Sequence, residues 1–223
     1  MRALFRDRRD AGRKLAMALG RFARDMPLVL ALPRGGVPVA YEVAHSLHAP
    51  LDLLLVRKIG APGHKEYGIG AVIDGADPQL ILNEEAVRTL APDPGYIRAE
   101  MHREVAELER RRRAYLGGRE PPDLRGRTVI VVDDGIATGG TMKAALRGAR
   151  KAGAGKLVLA VPVAPREALE DLRHECDEVI CLATPEPFYA VGGWYADFDQ
   201  TDDEEVKTLL SRSGQTVHHT RHG

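Results

Sequence analysis

The sequence is poor in cysteine: Cys176 and Cys181 are the only two among 223 residues. They form no CxxC pair and have no histidines at a matching spacing, so we expect reduced structural thiols, not a disulfide framework or a zinc site. No apolar run approaches the roughly 20 residues of a membrane span. The polar N-terminus carries no signal-peptide pattern. These absences predict a cytoplasmic protein without a membrane partner.

Net charge is also lacking, because 32 basic residues balance 32 acidic ones. A formal charge of zero gives no general attraction to nucleic acid. The four arginines of 110–113 end a predicted helix in which glutamates alternate with basic residues, as is typical of a solvated helix face. Nucleic acid is therefore not an expected partner. The chain length fits one large domain, and 44% hydrophobic residues suffice for its core.

Buried apolar runs alternate with helical patterns along most of the chain. The predicted strands are 28–32, 51–56, 70–73, 79–82, 128–133, 157–163 and 178–182. The predicted helices are 7–23, 37–45, 84–90, 93–115, 141–152, 165–172 and 202–210. Such alternation indicates an α/β fold, with a central, mostly parallel sheet and helices on both faces.

The most informative segment is 129–141, in which four β-branched residues lead into Asp133 and Asp134. A loop of small residues follows and opens a helix. In open α/β sheets, ligands bind at the carboxyl ends of strands, and a helix N-terminus attracts phosphate. Two carboxylates would repel a phosphate placed on them, but they suit sugar hydroxyls or a metal ion. The segment therefore predicts a sugar-phosphate site. It is neither a Walker A loop nor a GxGxxG loop.

Two further strand ends carry positive charge. The predicted strand 28–32 runs into Pro33-Arg34-Gly35-Gly36 and then a helix, which gives a second anion site with Arg34 as a fixed cation. The predicted strand 51–56 is followed by Arg57 and Lys58, which can face the same anion. The glycine- and proline-rich segment 59–70 has the composition of a mobile loop.

Segment 129–141 resembles the phosphoribosyl-pyrophosphate (PRPP) signature of type I phosphoribosyltransferases: four hydrophobic residues, two acids, three variable residues and Thr-Gly-Gly-Thr. The resemblance implies that Asp133 and Asp134 bind the ribose hydroxyls and, weakly or indirectly, a metal ion. It implies that the 5′-phosphate is bound by Ala137, Thr138, Gly139, Gly140 and Thr141. It further implies that pyrophosphate is bound by Arg34, Gly35, Gly36, Arg57 and Lys58.

The same resemblance implies a Mg²⁺-dependent enzyme of nucleotide metabolism that transfers a 5-phosphoribosyl group from PRPP to a nitrogenous base and releases pyrophosphate. Asp133, Asp134, Arg34 and Lys58 would be its catalytic residues. In this family the loop at Pro33-Arg34 often has a cis peptide bond, and a mobile loop often closes over the site. The implied partners are PRPP and a nucleobase-like molecule.

In the family that this chain resembles, the acceptor base lies under a variable segment called the hood. We place the hood at 184–200, because five of the chain's eleven aromatic residues lie there. Val163, Trp194 and Tyr195 are the candidate base-binding residues, and no pattern identifies the base. We expect one domain over 1–210, an α-rich insertion at 74–118 that covers the site or forms a homodimer contact, and a disordered tail at 211–223. Two alternatives remain open: a non-catalytic sensor of PRPP or a nucleotide on the same fold, and a phosphoribosyl hydrolase.

Overall fold

The structure, a computed structural model, describes residues 3–219, without the side chains of residues 65, 66 and 214–219. Its strands are β1 Leu28–Ala31, β2 Leu51–Leu53, β3 Val56–Ala61, β4 His64–Ile73, β5 Gln79–Leu82, β6 Thr128–Val132, β7 Lys156–Val163 and β8 Glu178–Ala183. Its α-helices are α1 Arg8–Leu19, α2 Gly36–Leu47, α3 Glu84–Leu90, α4 Pro94–Leu116, α5 Gly140–Lys151, α6 Arg166–Leu172 and α7 Asp203–His219. Short 3-10 helices cover Gly20–Asp25 and Val191–Trp194.

The predicted α/β fold is confirmed by a five-stranded parallel sheet in the order β2-β1-β6-β7-β8. Its strands are buried on both faces, because alternate side chains enter two separate apolar clusters. Val29 and Ile130 pack into one cluster, with α1, α2 and α7. Leu30 and Val131 pack into the other, with α5 and α6. Since β1 and β6 are neighbours, the loops that follow them are brought together at one edge of the sheet.

A second sheet was not predicted. Residues 56–82 form a three-stranded antiparallel sheet, β3-β4-β5, instead of joining the parallel one. The predicted strand 51–56 is thus split, and the segment interpreted as a mobile loop is the β3–β4 hairpin, which turns at Pro62 and Gly63. Alternation explains the strand: Ile59, Ala61 and Ile69 are buried on one face while their neighbours are more exposed.

The expected insertion at 74–118 contains β5 as well as α3 and α4. Its longest element, α4, is attached to the sheets by Arg112, which pairs with Asp52 and Asp74. At the other end of the chain, α7 continues past its predicted end at Leu210 to His219, since Leu209, Leu210 and Ser213 are buried. Of the predicted disordered tail, residues 220–223 lie outside the described residues.

Helices α1 and α2 approach closely at Gly12, where an added Cβ would lie 2.7 Å from the Val39 carbonyl oxygen and 2.9 Å from Glu42 Cβ. We expect Gly12→Ala to lower the free energy of unfolding by about 1–3 kcal/mol, despite the better helix propensity of alanine, because the helices must separate. Gly20→Ala is the control, since no atom lies within 4 Å of its Cβ position. Urea unfolding of both variants measures the difference, and equal midpoints would refute the close contact.

Candidate active site

The first half of the site is the loop between β6 and α5. Gly139, with φ of 79°, turns the chain into the first residue of α5. Thr138, Gly140 and Thr141 are exposed, so the N-terminal N–H groups of the helix and two hydroxyls are open to solvent. This is an accessible anion site of the expected kind.

The second half is the loop between β1 and α2. The Pro33–Arg34 peptide bond is cis, as the resemblance suggests. The loop packs directly on the two acids: a Cβ added to Gly35 would overlap Asp134 Oδ2, and one added to Gly36 would lie 3.0 Å from Asp133 Cα. No side chain larger than hydrogen fits at either glycine without displacing an acid. The two predicted anion sites therefore meet at Asp133 and Asp134.

The two acids lie in a poorly solvated environment. Burial, and next the charge of Asp134, raise the pKa of Asp133 well above its ordinary value. Burial also raises the pKa of Asp134, although a hydrogen bond and the charge of Arg8 oppose this. The Asp134 backbone N–H donates to Asp133 Oδ1 at 2.8 Å. The pair is thus held in a fixed arrangement as a set of hydrogen-bond acceptors.

Arg8, in the first turn of α1, was missed by the sequence analysis. Its Nε donates to Asp134 Oδ2 at 2.8 Å, and only 12% of its side chain is exposed. Its Nη1 donates to the Asp199 carbonyl oxygen at 2.6 Å, and its guanidinium lies 3.8 Å from the centre of the Phe198 ring. In the sequence it is one of several arginines in a polar run, so no local pattern distinguishes it.

Arg34 lies at the start of the second loop, and its side chain is 38% exposed. Its Nη1 is 3.5 Å from Asp203 Oδ1, at the N-terminus of α7. The same Asp203 oxygen accepts a hydrogen bond from the Tyr115 hydroxyl at 2.8 Å. Arg34 is therefore accessible beside its loop and has one weak, solvent-exposed ion pair that an anionic ligand can replace.

The sequence predicted Arg57 and Lys58 at the carboxyl end of the strand 51–56. In the structure they lie within β3 of the second sheet. The reason is the chain reversal into the β3–β4 hairpin. Arg57 Nε donates to Glu104 Oε2 at 2.6 Å, so its charge is partly offset by a buried carboxylate on α4. Lys58 is exposed. The two cations point away from each other, since successive side chains in a strand face opposite sides.

Comparison with known proteins identifies the family of this chain. The sequence profile described as "Phosphoribosyl transferase domain" matches residues 8–198. This chain belongs to that family. A Mycobacterium tuberculosis protein named provisionally as a phosphoribosyl transferase is 48% identical over 210 residues, which are 94% of this chain and 47% of the relative. The chain thus spans about half the length of that relative.

Two other proteins are also similar to this chain. The crystal structure of a Thermus thermophilus protein, TT1426, is 45% identical and superposes with a TM-score of 0.82, covering 95% of this chain and 99% of that one. A ribose-phosphate pyrophosphokinase of Methanopyrus kandleri is 34% identical over 179 residues, which are 70% of this chain and 61% of the relative. The first match shows that the two proteins share one fold over nearly the whole of this chain.

In this phosphoribosyltransferase-family chain, the candidate base-binding residues are buried. Val163 is fully buried at the end of β7, and Trp194 and Tyr195 are 5% and 6% exposed. The Tyr195 ring packs between those of Phe5 and Phe198 in tilted contacts, and its hydroxyl donates to the Asp134 carbonyl oxygen at 2.5 Å. Burial and the charge of Asp134 raise the pKa of Tyr195. The structure therefore brings these residues to the site, but as packing beneath it, and leaves little ring surface for stacking.

The described residues contain no group of three or more histidine, cysteine or acidic side chains arranged to hold a metal ion. Asp133 and Asp134 offer carboxylate oxygens beside the loops, but two side chains are too few for a cation bound by protein groups alone. In the same part of the chain, no helix is long and apolar enough to cross a membrane.

Proposed function

We propose that this protein transfers the 5-phosphoribosyl group of PRPP to a nitrogenous base and releases pyrophosphate. The observation that carries the proposal is the contact between the two glycine loops and the acid pair, in which the Asp134 carboxylate occupies the space that a Cβ at Gly35 would need. PRPP has a 5′-phosphate, a ribose diol and a pyrophosphate. The loop at Thr138–Thr141, the acid pair and the loop at Arg34 match these groups in number, charge and order.

In this proposal the protein acts mainly by holding the substrate. The 5′-phosphate is bound by N–H groups at the start of α5, and the ribose hydroxyls donate to Asp133 and Asp134. The reaction passes through an oxocarbenium-like state as the C1–O bond to pyrophosphate breaks and the base nitrogen bonds to C1. Fixing both ends of PRPP lowers this barrier by proximity, and Arg34, which is accessible beside its loop, stabilises charge that develops on the leaving group.

Mg²⁺ would fit this site as an ion held largely by substrate oxygens, since the described residues contain no group of three or more metal-binding side chains. When bound, it would supply positive charge that neutralises the pyrophosphate. The acid pair is positioned to contribute weakly or indirectly to its binding.

The burial of Trp194 and Tyr195 favours a second candidate. With no exposed aromatic face over the acid pair from these two rings, a protein that senses PRPP without transferring it also fits the site. Both candidates require PRPP binding, and they differ in turnover.

The test is a titration of the purified protein with PRPP, with and without Mg²⁺, followed by a pyrophosphate-release assay against a panel of purine and pyrimidine bases. Transfer predicts micromolar PRPP binding that is stronger with Mg²⁺, and pyrophosphate release that depends on one base. Binding without release under any base identifies the sensor, and release without a base identifies a hydrolase. Absence of binding below millimolar PRPP in both conditions overturns the proposal.

A separate expectation concerns Arg34. We expect Arg34→Ala to lower the affinity for PRPP and for pyrophosphate at least tenfold, while the affinity for ribose 5-phosphate changes less than threefold. The reason is that a charge-assisted hydrogen bond of about 1.5–3 kcal/mol is lost only at the second loop. Calorimetry with the three ligands measures this. Stability should hardly change, since the ion pair to Asp203 is exposed. Equal losses for all three ligands would show that the two loops do not bind separate groups.

A further inference from the structure

The Arg8 side chain is mostly buried and is held by several contacts. It reaches across 126 positions of sequence to Asp134, and the two side chains are 12% and 14% exposed. Three contacts hold the guanidinium: the Asp134 carboxylate, the Asp199 carbonyl oxygen and the face of the Phe198 ring. An arginine held in this way loses most of its side-chain freedom, which is unfavourable unless the contacts are strong.

The contacts determine the orientation of Asp134. Its Oδ2 lies between the Arg8 guanidinium and the space beside Gly35, which leaves the carboxyl group little freedom to rotate. The backbone of the same residue is held as well, since its N–H donates to Asp133 and its carbonyl accepts from Tyr195. Hydroxyl recognition requires acceptors that are already in place, because each side chain that must be ordered on binding weakens the complex.

The same guanidinium also connects the acid pair to the hood. Phe198 and Asp199 belong to the segment 184–200, and Phe5, three residues before Arg8, forms a β-bridge with Tyr195. The neighbouring Arg9 of α1 has a different environment: it pairs with Glu42 of α2, and 45% of its side chain is exposed. Position 8, unlike position 9, is therefore part of the site.

We propose that Arg8 is a positioning residue for ribose recognition, which holds the Asp134 carboxylate in the orientation that accepts the sugar hydroxyls and ties that orientation to the hood. This inference rests on the proposed function, since it takes Asp134 as a ribose ligand. It adds to the site a residue from outside the two strand-end loops.

The test compares Arg8→Met, Arg8→Lys and the matched control Arg9→Met with the parent, with PRPP, ribose 5-phosphate and inorganic phosphate as ligands in calorimetry. Arg8→Met should lower the affinity for PRPP and for ribose 5-phosphate about tenfold. The affinity for inorganic phosphate, which needs only the loop at Thr138–Thr141, should stay within twofold of the parent. Arg8→Lys should recover part of the loss, because it keeps the charge but lacks the planar set of donors. Arg9→Met should match the parent.

The outcomes separate this inference from the proposed function. A parent that binds no PRPP refutes the proposed function and, with it, the role of Arg8. A parent that binds PRPP while Arg8→Met binds it equally well overturns the role of Arg8 alone. Equal losses for PRPP and inorganic phosphate also overturn it, because they indicate general damage to the fold. If Arg8→Met does not fold, the ligand ranking of Arg8→Lys decides: a selective loss for the two sugar ligands supports the role, and no selectivity refutes it.

Discussion

Replacing both Asp133 and Asp134 by asparagine is expected to lower the affinity for PRPP at least tenfold, while inorganic phosphate binds as well as before or better. Each carboxylate that accepts from a ribose hydroxyl makes a charge-assisted bond of about 1.5–3 kcal/mol, and the amide keeps the shape but loses the charge. Phosphate at the neighbouring loop is no longer repelled by the acids. Calorimetry with both ligands, with circular dichroism as a folding check, measures the two opposite changes.

The control for this double variant is Asp123→Asn, whose carboxylate is 58% exposed and paired with Arg125 at the surface. It should leave both affinities unchanged. If the acids bind only a metal ion, the double variant instead loses affinity for Mg²⁺ measured without PRPP. A double variant that binds PRPP like the parent would remove the two acids from the ribose site.

Arg112→Met is expected to destabilise the fold by about 3–5 kcal/mol, the usual effect of removing one partner from a buried ion pair. Arg112 is 7% exposed, its Nη1 donates to Asp74 Oδ2 at 2.6 Å, and its Nη2 donates to Asp52. The variant leaves two buried carboxylates without their shared cation. Arg113→Met, at the exposed neighbouring position, is the control and should change stability by about 0.5 kcal/mol or less.

The loss of stability in Arg112→Met should depend on pH. Burial raises the pKa of Asp74 from 3.8 to about 6, against the charge of Arg112. Because the folded state binds this proton more tightly than the unfolded chain, the contribution of Asp74 to stability is complete below about pH 4 and declines as the pH rises to about 6. Without Arg112 the pKa rises further, so the variant should lose less stability at pH 5 than at pH 8. Urea unfolding at the two pH values tests this, and equal losses would contradict a charged Asp74 partner.

The sequence was sufficient for the parallel sheet and for the two loops at its edge. Apolar runs such as 129–132 predict strands buried on both faces. The small and charged residues that follow these strands predict anion sites, because backbone geometry and charge are local properties. The pairing of β1 with β6 then brings the loops together without further information.

The sequence was insufficient where partners are distant along the chain. Residues 56–61 mix apolar and charged side chains in a pattern that suits either sheet, and only the hairpin with β4 decides between them. Arg8 and Arg112 are single arginines in charged helices, and their importance comes from acids that other elements bring near. Trp194 and Tyr195 have the composition of a binding surface, yet packing against Phe5 and Phe188 buries them.

The contacts of the N-terminal segment also bear on how the protein folds. Phe5 pairs with Tyr195, and Arg8 bonds to the Asp199 carbonyl oxygen, so both contacts join residues about 190 positions apart. Closing so long a loop costs conformational entropy that local contacts do not offset. We therefore expect the central sheet to form before these contacts, so that the surroundings of Asp134 are completed late in folding.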